Sequence, residues 1–310
     1  MKTAFLFSGQ GAQAIGMGKE LCENFPVADE VFESASEALG FDIKDMIWNG
    51  DKETLMITEN TQPAILTMSV AALRVAEELG IKADVAAGLS LGEYTAHVAS
   101  GSMEFTDAVK LVKKRGKFMQ EEVPVGKGAM AAIIALSPED VRDICAKASG
   151  KGICEPANFN CPGQITVAGE TAAVEYACEL AKEKGAKRAM MMPVSAPFHC
   201  SMLKGAGEKL RAELENVNVS DMKIPIITNV TADYISSASE IKDLLVRQVS
   251  SSVLFEESLN RMIKDGVDTF IEIGPGKALS GFVKRIDKTK TILNIEDMAS
   301  LEKTRQALGI

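Results

Sequence analysis

The segment of this sequence best suited to chemistry is Gly88-Leu89-Ser90-Leu91-Gly92. An apolar strand pattern precedes it (Ala83–Leu89) and a helical pattern follows (Leu91–Ala99), which puts the serine on a sharp strand-to-helix turn. The flanking glycines let the chain turn tightly and keep side chains away from the hydroxyl. That hydroxyl then stands at a helix N-terminus, where the next backbone N–H can stabilise an oxyanion. A serine that merely caps a helix is the plainer alternative. Glycines on both sides, with strand before and helix after, favour the nucleophile.

A serine nucleophile needs a base, and the chain has two histidines, His97 and His199. His97 lies in the helix that the elbow starts, two turns along, and cannot reach back to Ser90; it reads as a packed or surface residue. His199, in Pro193-Val194-Ser195-Ala196-Pro197-Phe198-His199, stands on a loop that overhangs the same region. By elimination it is the base if Ser90 is the nucleophile. The neighbouring Cys200 reads as a bystander thiol, since adjacent residues of an extended loop point apart.

Arg115 is informative because of its company. Over 108–122 the apolar stripe runs Ala108, Leu111, Val112, Phe118, Met119, and Arg115 falls on it, whereas Lys113, Lys114 and Lys117 take other faces. A guanidinium on a buried face needs an anion. Pattern alone leaves two partners open: an acid such as Glu93, or a substrate carboxylate captured in bidentate fashion.

Gly9-Gln10-Gly11-Ala12-Gln13-Ala14 fits a dinucleotide fingerprint after the strand Thr3–Phe7. The second strand such a unit requires is missing, because Glu20–Leu39 reads as helical. The glycine turn is better suited to offer a backbone N–H to an oxyanion. Ile273-Gly274-Pro275-Gly276 reads as a structural turn from strand into helix.

The elements that must position these residues fall into two grammars. Thr3–Phe7, Ala83–Leu89, Ile224–Thr228 and Thr269–Ile273 are strand patterns, separated by helices that include Gln62–Leu79, two between Glu240 and Lys264, and a closing helix–strand pair. Between them, strands at Ala129–Leu136, Ile153–Asn158, Gln164–Ala168 and Arg188–Val194 alternate with helices starting at Pro138 and Thr171. Phe159–Gly163 reads as a hairpin loop. The order β-α-β-β-α-β is that of a split βαβ, ferredoxin-like unit. The expected fold is therefore α/β, with residues 1–127 and 195–310 forming a large subdomain and 128–194 an inserted α+β subdomain.

Composition narrows the function. Forty-three acids against 34 bases give a net charge of −9 and a pI near 5.0, which speaks against a nucleic-acid binder. Six scattered cysteines without a C-x-x-C pair, and only two histidines, offer no zinc site of ordinary spacing. No stretch approaches the roughly 18 apolar residues of a membrane span, and no secretory signal is evident, so the cytoplasm is expected.

The motifs together carry a family resemblance. FSGQGAQ, TQPAILT, GLSLGEY, RGKFMQ, ANFNCPGQ, PVSAPFH, RQVSSSV and EIGPGKALSGFVKRI, in this order, resemble the malonyl-CoA:acyl carrier protein transacylases. The resemblance implies an α/β-hydrolase-like large subdomain with a ferredoxin-like small one, in agreement with the pattern above. It also implies Ser90 as the acylated nucleophile, His199 as the base and a backbone carbonyl, here of Gln248, as the group that orients the histidine. The N–H groups of Gln10 and Leu91 would form the oxyanion hole and Arg115 would bind the malonyl carboxylate. Gln62 and Asn160 match polar positions lining the cleft, and Phe198 matches the malonyl-selective pattern. Leu89 departs from the family, which usually has histidine there.

Implied substrates are malonyl-CoA and the phosphopantetheine thiol of acyl carrier protein, with no bound cofactor or metal, no nucleic-acid or membrane partner, and a monomeric enzyme. Since acyl carrier proteins are acidic, Lys187/Arg188 and Lys284/Arg285/Lys288 are candidate docking charges. The alternatives are an acyltransferase serving a polyketide synthase, a serine thioesterase, and a nucleotide-binding module built on Gly9–Ala14.

Overall fold

A computed structural model describes residues 2–194 and 196–310 of the chain. Its strands are β1 (Thr3–Phe7), β2 (Val85–Gly88), β3 (Gly128–Ile134), β4 (Cys154–Cys161), β5 (Gln164–Glu170), β6 (Arg188–Met191), β7 (Ile226–Ile227), β8 (Thr269–Ile273) and β9 (Thr291–Ile295). Five form a sheet in the order β7-β2-β1-β8-β9, with every neighbouring pair parallel. The others form a separate antiparallel sheet in the order β4-β5-β3-β6.

A parallel sheet covered by helices on both faces needs strands that are apolar on both sides. β1 meets that demand with TAFLF, buried throughout. Its alternate side chains divide between two cores, Phe5 and Phe7 on the side of helix Thr58–Glu78, Ala4 and Leu6 on the side of helix Phe255–Lys264. In the antiparallel sheet, Ala131, Ile133, Ile165 and Val167 pack against Val141, Ile144, Val174 and Ala177 of helices Pro138–Ala148 and Thr171–Glu183. The strand order and the two helices make this the expected ferredoxin-like unit. The antiparallel sheet is fastened to the segment between helices Ala238–Val249 and Phe255–Lys264, where Phe159 N–H donates to the Val253 carbonyl (2.9 Å) and Val253 N–H to that of Ala157 (2.8 Å).

Several local expectations change. The expected hairpin loop Phe159–Gly163 shrinks to Pro162-Gly163, because β4 continues through Cys161 past a register irregularity between Phe159 and Cys161. β6 ends at Met191 rather than Val194, since Pro193 has no N–H to extend the ladder. The helix expected from Gln62 starts a turn earlier, at Thr58, and holds Pro63 within it. Glu20–Leu39 is two helices, Lys19–Asn24 and Pro26–Leu39, broken at the extended Phe25. The closing helix–strand pair is followed by a further helix, Met298–Leu308, started by a capping box of Asp297 and Ser300. Ser195, where the return to the large subdomain was expected to begin, lies outside the described residues. Among the described residues no helix is long and apolar enough to cross a membrane.

Candidate active site

The elbow forms where β2 leaves the sheet. Leu89 N–H still donates to the Phe7 carbonyl (3.1 Å), and then Ser90 turns into the left-handed region at φ 53°. Both glycines are sterically required. A Cβ on Gly88 would collide with the backbone of Gly92, and one on Gly92 with the carbonyl of Phe7. Gly9 serves the same end from β1: a Cβ there would stand 2.5 Å from the Leu89 carbonyl oxygen, so the β1 loop approaches the elbow only without a side chain. Helix Gly92–Ala99 follows, so Ser90 stands just before a helix N-terminus.

His199 reaches Ser90 from the loop after β6, with its own left-handed backbone (φ 62°). Its Nε2 lies 2.7 Å from Ser90 Oγ. Its Nδ1 lies 2.9 Å from the Gln248 carbonyl oxygen, which can only accept, so Nδ1 carries the proton and Nε2 is free to receive one. Burial, and then the charge of Arg115, push the imidazole down to about 3, so it is neutral at physiological pH. His97 is buried elsewhere, with Nδ1 2.8 Å from Ser102 Oγ, and makes no contact with Ser90. Cys200 is buried with its thiol on the Pro197 carbonyl, and burial raises its pKa to about 12.

Arg115 is 1% exposed. Nη1 donates to Gln62 Oε1 (2.9 Å), and Nη2 donates to Gln248 Oε1 (2.9 Å) and to Ser90 Oγ (3.1 Å). Its guanidinium carbon lies 5.3 Å from the centre of the Tyr94 ring. All three acceptors are neutral, so Glu93, one of the two partners left open by the sequence, is not hydrogen-bonded to the guanidinium. The Gln248 amide stands between Arg115 and Glu93: its Oε1 takes the guanidinium and its Nε2 donates to Glu93 Oε2 (2.8 Å). A buried guanidinium held by amides and a hydroxyl has no counter-charge in direct contact, an arrangement that a carboxylate would stabilise.

The backbone N–H groups of Gln10 and Leu91 donate to no acceptor among the described residues. They stand after β1 and at the elbow, at the carboxyl end of the parallel sheet where open α/β folds place ligands. Gln62 is thus joined to the site through Arg115. Phe198 is buried beside His199. Asn160 sits apart on β4, buried, its Oδ1 without a partner among the described residues. Lys187, Arg188, Lys284, Arg285 and Lys288 are all exposed. The first two are on or beside the edge strand β6, while the helix bearing Lys284 and Arg285 packs on the opposite edge strand, β4.

Sequence reasoning missed Asn229 and the side chain of Gln248. Asn229 Oδ1 accepts from Ser90 N–H (2.6 Å), and Gln248 Nε2 donates to the Ser90 carbonyl (2.9 Å). A lone asparagine in the polar segment TNVTAD carries no periodicity that would mark it.

An elbow serine on a carbonyl-oriented histidine, with a buried guanidinium at the same hydroxyl, is the arrangement of a serine acyltransferase. The comparisons agree: residues 4–305 match the family model described as the acyl transferase domain. The malonyl CoA-acyl carrier protein transacylase of Bacillus subtilis is 48% identical over 308 residues, covering 99% of this chain and 97% of the relative. The crystal structure of the Clostridium perfringens malonyl CoA-acyl carrier protein transacylase is 51% identical, with a TM-score of 0.97 over 100% of this chain and 98% of that one. A malonyl-transacylase in complex with its type II PKS acyl-carrier protein is 41% identical, with a TM-score of 0.96 over 99% and 100% of the two chains. The chain belongs to the malonyl CoA-acyl carrier protein transacylases of the acyl transferase family.

Proposed function

We propose that the chain transfers malonyl from malonyl-CoA to the phosphopantetheine thiol of acyl carrier protein, through a malonyl ester on Ser90, and supplies fatty acid synthesis. Ser90 Oγ attacks the thioester carbonyl as His199 Nε2 takes its proton. The new C–O bond gives a tetrahedral oxyanion, which the Gln10 and Leu91 N–H groups stabilise. Collapse breaks the C–S bond, and the imidazolium returns the proton to the leaving thiolate. The carrier thiol then runs the same steps in reverse.

The observation that carries this reading is Arg115, buried 3.1 Å from Ser90 Oγ with no acid paired to it among the described residues. A guanidinium in that position discriminates malonyl from acetyl, since a donor without a carboxylate leaves it unpaired in a dry pocket. Gln62 and Gln248 hold the guanidinium, while Phe198 and Asn160 line the acyl and pantetheine path. The same reading makes 1–127 with 195–310 the catalytic subdomain and 128–194 the smaller one. It places a monomeric enzyme in the cytoplasm, without cofactor or metal, and gives the basic pairs at Lys187/Arg188 and Lys284/Arg285/Lys288 to carrier docking.

Radiolabelled malonyl-CoA offered with carrier protein tests it. Label should move to the phosphopantetheinylated carrier and not to the apo form. Label released as free malonate, with the carrier unlabelled, would make the chain a thioesterase. The solved complex with a type II PKS carrier keeps a polyketide acceptor as the second reading, distinguished by rates with the two carrier types.

A further inference from the structure

Ser90 holds a conformation that few non-glycine residues adopt, and both of its polar backbone groups are tied down. Asn229, fully buried and just beyond β7, spans the elbow with one amide. Its Oδ1 accepts from Ser90 N–H (2.6 Å) while its Nδ2 donates to the Gly88 carbonyl (2.7 Å). From the other side Gln248 Nε2 donates to the Ser90 carbonyl (2.9 Å). The two clamps meet at one oxygen: Glu93 Oε2 accepts from Asn229 N–H (2.9 Å) and from Gln248 Nε2 (2.8 Å).

We propose that Asn229 is a positioning residue for the acyl transfer: with its backbone N–H fastened by Glu93, its side-chain amide holds Ser90 in the left-handed turn that aims Oγ at His199. It also takes the Ser90 N–H out of use as an oxyanion donor and leaves that task to the N–H of Leu91. Arg115 bonds Gln62, Gln248 and Ser90 but not Asn229, which Gln248 Nε2 reaches only at 3.5 Å, so the loss of the Asn229 side chain falls on the rate of acylation far more than on donor binding. The inference rests on Ser90 being the nucleophile.

Single-turnover acylation by malonyl-CoA, followed as protein mass against time over a range of donor concentrations, tests it in the full chain. Asn229→Ala is expected to lower the maximal rate about 10²-fold, the scale of a small misplacement of a reacting group, with the half-saturating malonyl-CoA concentration unchanged. Asn229→Asp keeps the acceptor for Ser90 N–H but not the donor to Gly88, and should fall between the two. A wild-type rate in Asn229→Ala overturns the proposal, and so does a rate preserved at saturation with weaker donor binding. If Asn229→Ala does not fold, a wild-type rate in Asn229→Asp overturns it alone. A wild-type chain that accepts no malonyl, or accepts it equally after Ser90→Ala, overturns instead the reading of Ser90 beneath it.

Discussion

The guanidinium of Arg115 and the imidazole of His199 meet at one atom, Ser90 Oγ, 3.1 Å from Arg115 Nη2 and 2.7 Å from His199 Nε2. An imidazolium there would face a second cation across a single oxygen, which adds to burial in holding His199 down to about 3. On the proposed function, a donor carboxylate that neutralised Arg115 would make His199 a better base at the moment it is needed, and Arg115 would bear on rate as well as on binding.

Replacing Arg115 by alanine should lower malonyl transfer by about 10²- to 10³-fold, the usual cost of stranding one partner of a buried charge pair. Acetyl transfer should fall far less or rise. Acylation rates with malonyl-CoA and acetyl-CoA in parallel check this, and an unchanged ratio would remove Arg115 from selectivity.

Among the described residues Gln62 Oε1 is the sole acceptor of Arg115 Nη1. Gln62→Leu should free the guanidinium to swing and raise the KM for malonyl-CoA about tenfold, as expected for losing a hydrogen bond to a charged group. Maximal acylation should change less than KM, because Arg115 Nη2 keeps its own bonds to Ser90 and Gln248. A fall in rate at saturation with KM preserved would contradict this role.

Gly92→Ala should abolish acylation and cost at least about 2 kcal/mol of stability, since the new Cβ falls on the backbone carbonyl of Phe7 and neither partner is a movable side chain. Urea denaturation beside the acylation assay measures both. Wild-type stability would mean that the elbow opens without penalty.

Legibility in the sequence followed how local each signal was. β1 and β8 could be read to the residue because strands buried on both faces are continuous apolar runs. Arg115 betrayed its burial through helix periodicity, but its partner was open until the Gln248 amide was seen between it and Glu93. Phe159–Cys161 looked like a loop because Asn160, Pro162 and Gly163 are turn formers; burial inside β4 overrode that preference. Asn229 was invisible, since its meaning comes from bonding a residue 139 positions away.

Acid should destabilise the fold through its two histidines. Burial takes His97 and His199 from an ordinary 6.5 to about 3, so below pH 6.5 the unfolded chain binds protons that the folded one refuses. Their contribution is intact above pH 6.5 and is lost as pH falls toward 3, by about 2 kcal/mol for each imidazole between pH 7 and pH 5. Glu93 and Glu272, whose carboxyls burial pushes up, act in the opposite direction. The comparison is therefore with His97→Gln, which keeps an acceptor for Ser102. Its loss of stability from pH 7 to 5 should be smaller than that of wild type by the share of one imidazole; equal losses would show that His97 is not buried neutral.

The most direct measurement is intact-protein mass after brief exposure to malonyl-CoA, with acetyl-CoA and Ser90→Ala in parallel. One malonyl adduct is predicted, weak with acetyl-CoA, absent from Ser90→Ala and discharged by phosphopantetheinylated acyl carrier protein. Free CoA accumulating without an adduct, or an adduct that survives Ser90→Ala, would contradict a malonyl-serine intermediate.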